Sequence, residues 1–296
     1  MKIATAAYSL DLLPDFTAYA EKQINWVREA AREGAELLVF PEYGRMELAA
    51  LSGPDAAADL EASLHAAHAY TEEADALMAS LAEGYGVHIL AASGPVFEEG
   101  AERPVNRASL FGPDGFLGDQ DKQVMTRFER EKWDVVPGEP LEVIDTALGK
   151  IGTLICYDAE FPLLGRELIE QGAQIILCPS CTDSLAGYSR VRIGAMARAL
   201  EGQCVTVQSP TVGDAKWSPA IDENVGIASV YGPPDLGFPP NGIIAEGTLN
   251  TPGWTFAEID PAAIARVRAQ GSVFNHAHWP ESHARADQSR KLRDLP

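Results

Sequence analysis

The sequence predicts an α/β fold, and three observations carry that prediction. Apolar runs of strand length recur, the clearest at residues 151–155, each bounded by glycine, proline or polar residues. Between them lie segments with apolar residues three and four apart, as at residues 15–33, the mark of amphipathic helices. A helix followed by glycine, alanine, a polar residue, four apolar residues and proline occurs twice, as Gly34-Ala35-Glu36-Leu37-Leu38-Val39-Phe40-Pro41 and Gly172-Ala173-Gln174-Ile175-Ile176-Leu177-Cys178-Pro179. That repetition points to two similar α/β halves facing one another.

Taken in order, residues 1–8 read as a first strand, too short an apolar segment for a signal peptide. Residues 15–33 place Phe16, Tyr19, Ala20, Ile24, Val27 and Ala30 on one helical face, and Gly34 takes the C-cap position. The strand at 35–40 delivers Glu42 just past its end, where apolar walls raise a carboxylate's proton affinity. Residues 59–86, rich in Ala, Leu and Glu, read as one long or two short helices. His65 and His68 within them lack the further ligands a metal site needs and are expected at the surface or an interface. A strand at 87–96 precedes a hairpin at 106–117 that turns at Gly112-Pro113-Asp114-Gly115, and Lys122 follows where that hairpin ends.

A second hairpin covers 141–156, turning at Leu148-Gly149-Lys150, and its second strand delivers Cys156. Helices are expected at 163–171 and 188–201, the latter carrying Arg190, Arg192 and Arg198, with strands at 204–208, 226–231 and 254–259 and a helix starting at Asp260-Pro261. One domain, residues 1–270, is expected to precede a C-terminal tail, 271–296, that packs on a partner subunit or lies loose.

The 296-residue chain is 46% hydrophobic and 22% charged, with a formal net charge of -20. Nucleic-acid phosphates and anionic membranes repel such a surface and are excluded as general partners. With no segment long enough to span a bilayer, a cytoplasmic location is expected, in which Cys156, Cys178, Cys181 and Cys204 stay reduced. Cys178-Pro179-Ser180-Cys181 has the spacing of a redox or zinc pair but lacks a second pair or a thioredoxin-like setting. Cys156 has two readings: a small buried hydrophobe ending a strand, or a nucleophile held on a rigid element facing a crevice.

Three pieces in order resemble the nitrilase (carbon-nitrogen hydrolase) superfamily: Phe40-Pro41-Glu42; Asp121-Lys122 with Phe128-Glu129-Arg130-Glu131 and Pro137-Gly138 behind it; and Cys156-Tyr157-Asp158-Ala159-Glu160-Phe161-Pro162. The resemblance covers residues 2–267 and implies a four-layer αββα sandwich, paired into homodimers or larger assemblies through helical faces. It also implies a catalytic Glu42, Lys122 and Cys156, with no metal or organic cofactor. Of two candidates for a further glutamate, the spacing to Pro137-Gly138 favours Glu131. Glu129, Tyr157, Tyr188 and Arg192 are the expected substrate-binding residues. Arg127, Arg190 and Arg192 have the fork that matches a substrate carboxylate, and helix-face salt bridges or dimer contacts explain them equally well.

Tyr157-Asp158 is similar to the amidase-type branches rather than to nitrilases proper, which implies a small carboxamide substrate and ammonia as product. A nitrilase would use the same three residues, and a catalytically silent thiol- or metal-binding module built on Cys178 and Cys181 is the alternative from another class. Leu163 departs from the acid many amidase-type members carry after Phe-Pro. Thr126-Arg127-Phe128-Glu129 with Pro179-Ser180-Cys181-Thr182-Asp183 resembles a branch sometimes fused to an acetyltransferase domain, with no such domain in these residues.

Overall fold

The computed structural model describes residues 1–287. Its first half runs β1 (Lys2–Ser9), α1 (Phe16–Arg32), β2 (Leu37–Val39), a 3-10 helix (Gly44–Ser52), α2 (Pro54–Ala58), α3 (Leu60–His68), α4 (Thr71–Tyr85), β3 (His88–Leu90), β4 (Gly94–Val96), β5 (Val105–Gly112) and β6 (Gly115–Asp121). The second half runs β7 (Ile144–Thr146), β8 (Gly149–Thr153), α5 (Pro162–Glu170), β9 (Ile175–Ser180), α6 (Leu185–Gly202), β10 (Val205–Asp214), β11 (Glu223–Asn224), β12 (Ser229–Tyr231), β13 (Ile243–Glu246), β14 (Gly253–Glu258), α7 (Pro261–Gln270) and α8 (Asn275–Asp287). Short turns of π-helix (Glu129–Trp133) and 3-10 helix (Cys156–Glu160) interrupt it.

The strands follow the order β4-β5-β3-β2-β1-β10-β9-β8-β7. β1 and β10 pair only at Tyr8↔Thr211 and Ser9↔Val212, and β14 returns to pair antiparallel with β1 from Lys2↔Glu258 to Ala7↔Gly253, so the strands part into two sheets that can stack. Strand alternation then sorts side chains into layers. Ile3, Leu37 and Val39 from one sheet meet Ile175, Leu177, Val205 and Val207 from the other in the inter-sheet core. Their neighbours Ala4, Leu38 and Phe40 face outward onto Val27, Leu64 and Met78 of the helices. Ile176 and Cys178 face outward on the second sheet, against Leu168, Ile169, Ala195 and Ala199. Helix, sheet, sheet, helix: the chain is an αββα sandwich. The two repeated segments occupy equivalent places, β2 beside β1 and β9 beside β10.

Local chemistry sets the helix ends. Asp15 caps α1 by accepting from Ala18 N at 2.9 Å, and Pro162 starts α5 at a position needing no N–H. Helix α6 starts three residues before the expected 188, because Ser184 Oγ accepts from Gly187 N at 3.2 Å. The expected strand at 87–96 is two short strands; between them Ser93 donates its N–H to Pro41 O at 3.0 Å and bends the chain onto the exit of β2. Part of the expected tail is helical. Residues from Asn275 form α8, with Arg166 of α5 stacked on Trp279 at 5.0 Å and His276 N bonded to Gln203 at 3.2 Å, while 288–296 lie outside the described residues. No described helix is long and apolar enough to cross a membrane.

Candidate active site

The parallel strands β2, β8 and β9 end on one side of the sandwich, and the residues just past those ends converge there. Glu42 follows β2, Cys156 follows β8 and Cys181 follows β9. Two of these exits use a left-handed backbone, at Tyr43 (φ 54°) and Cys156 (φ 51°). Such a conformation costs a side-chain-bearing residue about 1–3 kcal/mol and persists where the surroundings over-determine it, commonly at functional sites. Lys122 extends the β6 ladder by one bond, its N–H donating to Asn106 O at 2.9 Å, and so is aimed by the sheet.

Around Lys122 the site is a buried charge network. Its Nζ donates to Glu42 Oε1 at 2.7 Å and to Glu129 Oε1 and Oε2 at 2.8 and 2.7 Å. Glu42 is held by two further donors, Asn106 Nδ2 on Oε1 at 3.0 Å and the Cys181 N–H on Oε2 at 2.9 Å. This last bond ties together the exits of the two repeated strands. Glu129 accepts from Tyr43 OH at 2.7 Å and from Thr126 N and Oγ1 at 2.8 Å. The Cys156 thiol points to Cys181 O at 3.8 Å.

Electrostatics set the resting protonation. Burial, reinforced by Glu129 and opposed by Lys122, pushes the Glu42 carboxyl up to about 7. Burial works against the charge on Glu129 as well, but Lys122 and the bonds from Tyr43 and Thr126 outweigh it and hold that carboxyl low. Burial disfavours the Lys122 ammonium too, yet Glu129 and Glu42 outweigh it and raise its proton affinity well above the ordinary lysine range. Burial and then the Glu42 charge push the Cys156 thiol well above its usual value. A protonated thiol therefore rests beside a carboxylate poised to titrate near neutrality.

These groups form the floor of a cavity of about 460 Å³, walled by Phe128, Tyr157, Cys181, Val191 and Ile221, with Arg127 and Arg190 at its mouth. The sequence-expected Glu42, Lys122, Cys156, Tyr157 and Glu129 all line it. Glu131 does not. Spacing favoured it as the further glutamate, but the π-helical turn rotates it outward, where its 52%-exposed side chain pairs with Arg127 at 2.8 Å, while Glu129 turns in. Tyr188 and Arg192 are likewise absent from the cavity lining among the described residues: Tyr188 is buried beside Tyr231, and Arg192 pairs with Glu246 at 2.6 Å. Arg190 pairs with Glu160 at 3.5 Å. Sequence reasoning missed Asn106 and the Cys181 N–H as holders of Glu42; an asparagine in a strand carried no signal, and a backbone donor carries none.

Cys178 and Cys181 form no pair. Strand alternation sends Cys178 into the outer core, while Cys181 faces the cavity and packs against the other half. No group of metal-holding side chains occurs among the described residues. His65 stacks on Phe97 at 4.3 Å, and His68 Nδ1 accepts from Phe97 N at 3.3 Å.

An αββα sandwich whose strand ends bring a thiol, two carboxylates and an ammonium into one cavity has the architecture of the nitrilase superfamily. The chain belongs to the carbon-nitrogen hydrolase family, whose model matches residues 2–269. A probable hydrolase of Bacillus subtilis (strain 168), YhcX, is 33% identical over 276 residues, which are 92% of this chain and 52% of that protein; the chain thus spans about half that relative's length. The omega-amidase NIT2-A of Xenopus laevis is 27% identical over 254 residues, 82% of this chain and 83% of its own. An amidase from Nesterenkonia sp. AN1, solved in complex with acrylamide, shares the fold with a TM-score of 0.70 at 21% identity, over 97% of each chain.

Proposed function

We propose that the protein hydrolyses a small carboxamide to a carboxylate and ammonia through a thioester on Cys156. The observation that carries this reading is the Lys122 ammonium bonded to both Glu42 and Glu129 on the floor that also holds the Cys156 thiol. Glu42 takes the thiol proton as sulfur attacks the amide carbon. Lys122 and the Tyr157 N–H, which precedes the first internal bond of its turn, from Asp158 N to Ile155 O, face the developing oxyanion. Glu42 then gives its proton to the leaving nitrogen as the carbon-nitrogen bond breaks, and ammonia departs. Water, deprotonated by Glu42, attacks the thioester; the carboxylate leaves and the thiol is restored. Glu129 holds Lys122 charged and in place. The omega-amidase relative supports an amide rather than a nitrile substrate.

The test is an ammonia-release screen over small aliphatic amides, read with the mass of the peptide carrying Cys156. Equimolar carboxylate and an acyl adduct on that peptide are expected; ammonia without any adduct under rapid quenching would remove the thioester. The pH profile is a second expected result. The Glu42 carboxyl, raised to about 7, must be ionised to accept the thiol proton, so kcat/KM rises with pH through neutrality and levels off above it. A flat profile there would show that Glu42 is not the base.

Assembly through helical faces is proposed on Leu163, Leu185 and Ile193, which lie 77%, 57% and 68% exposed on or beside α5 and α6. Sedimentation of Ile193→Glu should shift toward monomer if that face is buried between copies; an unchanged profile excludes it.

A further inference from the structure

One buried acid near the site has no part in the proton transfers above. Asp158 is fully buried in the 3-10 turn that begins at Cys156. Among the described residues its carboxylate accepts from backbone N–H groups alone: Val124 at 2.8 Å, Gln123 at 3.2 and 3.1 Å on its two oxygens, and Ile155 at 3.2 Å. Ile155 immediately precedes the nucleophile. Gln123 and Val124 immediately follow the lysine. One rigid group thus bridges the two segments that carry the thiol and the ammonium, which the chain otherwise delivers from different sheets.

We propose that Asp158 is a positioning residue, its carboxylate fastening the lysine-bearing loop to the cysteine-bearing turn so that Lys122 and Cys156 keep their mutual placement. The assignment rests on the amide-hydrolase reading of the site. Three features support it beyond the distances. Each carboxylate oxygen accepts from two N–H groups, a demand that asparagine, with one acceptor and one donor end, does not meet. The bond to Ile155 N and the return bond from Asp158 N to Ile155 O at 3.1 Å close the turn around Cys156, whose left-handed backbone needs such over-determination. The other flank of Lys122 is pinned separately, with Arg107 forked onto Asp121 at 2.7 and 2.9 Å. On the flank that follows Lys122, Asp158 supplies the link to the cysteine-bearing turn, while the Gln123 side chain ties that flank only to Asp121 O and Glu139 O, at 2.8 and 2.6 Å.

The test compares the parent chain with Asp158→Asn. Alkylation of Cys156 by iodoacetamide, followed by peptide mass, is expected to slow by about tenfold or more while Cys181 in the same cavity reacts as before. On an amide substrate kcat is expected to fall about 100-fold with KM little changed, the size a misplacement of about 1 Å produces. Combined with Lys122→Gln, the losses should be less than multiplicative, because both remove the same placement. A residue that serves folding alone would lower thermal stability, multiply with Lys122→Gln and leave alkylation of the folded protein unchanged; that result overturns the assignment. If Asp158→Asn does not fold, Val124→Pro deletes the 2.8 Å donor and keeps the acid, and normal Cys156 reactivity in that folded variant overturns it equally. A parent chain that hydrolyses no amide would end the amidase reading, and the alkylation comparison would still decide the part played by Asp158.

Discussion

Cys156→Ala is expected to abolish ammonia release, a loss of about 10⁴-fold or more, with the fold intact. A serial mechanism has no second route once its nucleophile is gone, so one deletion costs nearly as much as deleting every member of the set. Folding should tolerate the change. The thiol bonds Cys181 O at a long 3.8 Å, and alanine removes one sulfur from the floor of a cavity. Alanine also occupies the left-handed backbone at position 156 no less easily than cysteine. The check is ammonia release alongside a thermal melt. Activity surviving in a folded Cys156→Ala chain would leave another residue as nucleophile and end the thioester reading.

Lys122→Gln should cost both turnover and stability. Loss of a lysine serving the oxyanion alone would cost turnover more than folding stability. Packed 1% exposed between the carboxylates of Glu42 and Glu129, Lys122 also neutralises two buried acids. Removing one partner of a buried ionic network typically costs about 3–5 kcal/mol, since the remaining charge is left uncompensated. Loss of one oxyanion donor costs about 10²–10³ in kcat. The stability loss should be smaller on the acid side of neutrality, where Glu42, whose carboxyl is already raised to about 7, takes up a proton and relieves the repulsion with Glu129. Melts at mildly acid and mildly alkaline pH separate the cases: equal losses at both would mean that the two carboxylates do not share the lysine. Glu129→Gln should reproduce the loss of turnover, whereas Glu131→Gln, which breaks only an exposed pair with Arg127, should leave it unchanged.

The sequence alone was enough for the elements that depend on periodicity and punctuation. The helix at 16–32, the hairpin closing at Gly115 (φ 109°), and the strands before Glu42 and Cys156 follow from alternation, capping residues and glycine. The repeated Gly-Ala-polar-apolar segments marked the two-halved sandwich, because each must bury one face against the other sheet and the other against helices. The three motifs in order carried the family resemblance, and that resemblance implied Glu42, Lys122 and Cys156 as a set.

Tertiary structure decided what one-dimensional spacing leaves open. Glu129 and Glu131 differ by two residues, and which of them enters the cavity depends on a π-helical turn and on whether Tyr43 and Thr126 are there to receive it. Tyr188 and Arg192 sit on the same helix as the cavity-lining Arg190, yet a helix turns about 100° per residue, so neighbours in sequence face different surroundings. The Cys181 N–H on Glu42 and the backbone grip of Asp158 involve main-chain donors, which every residue type possesses and no sequence can advertise.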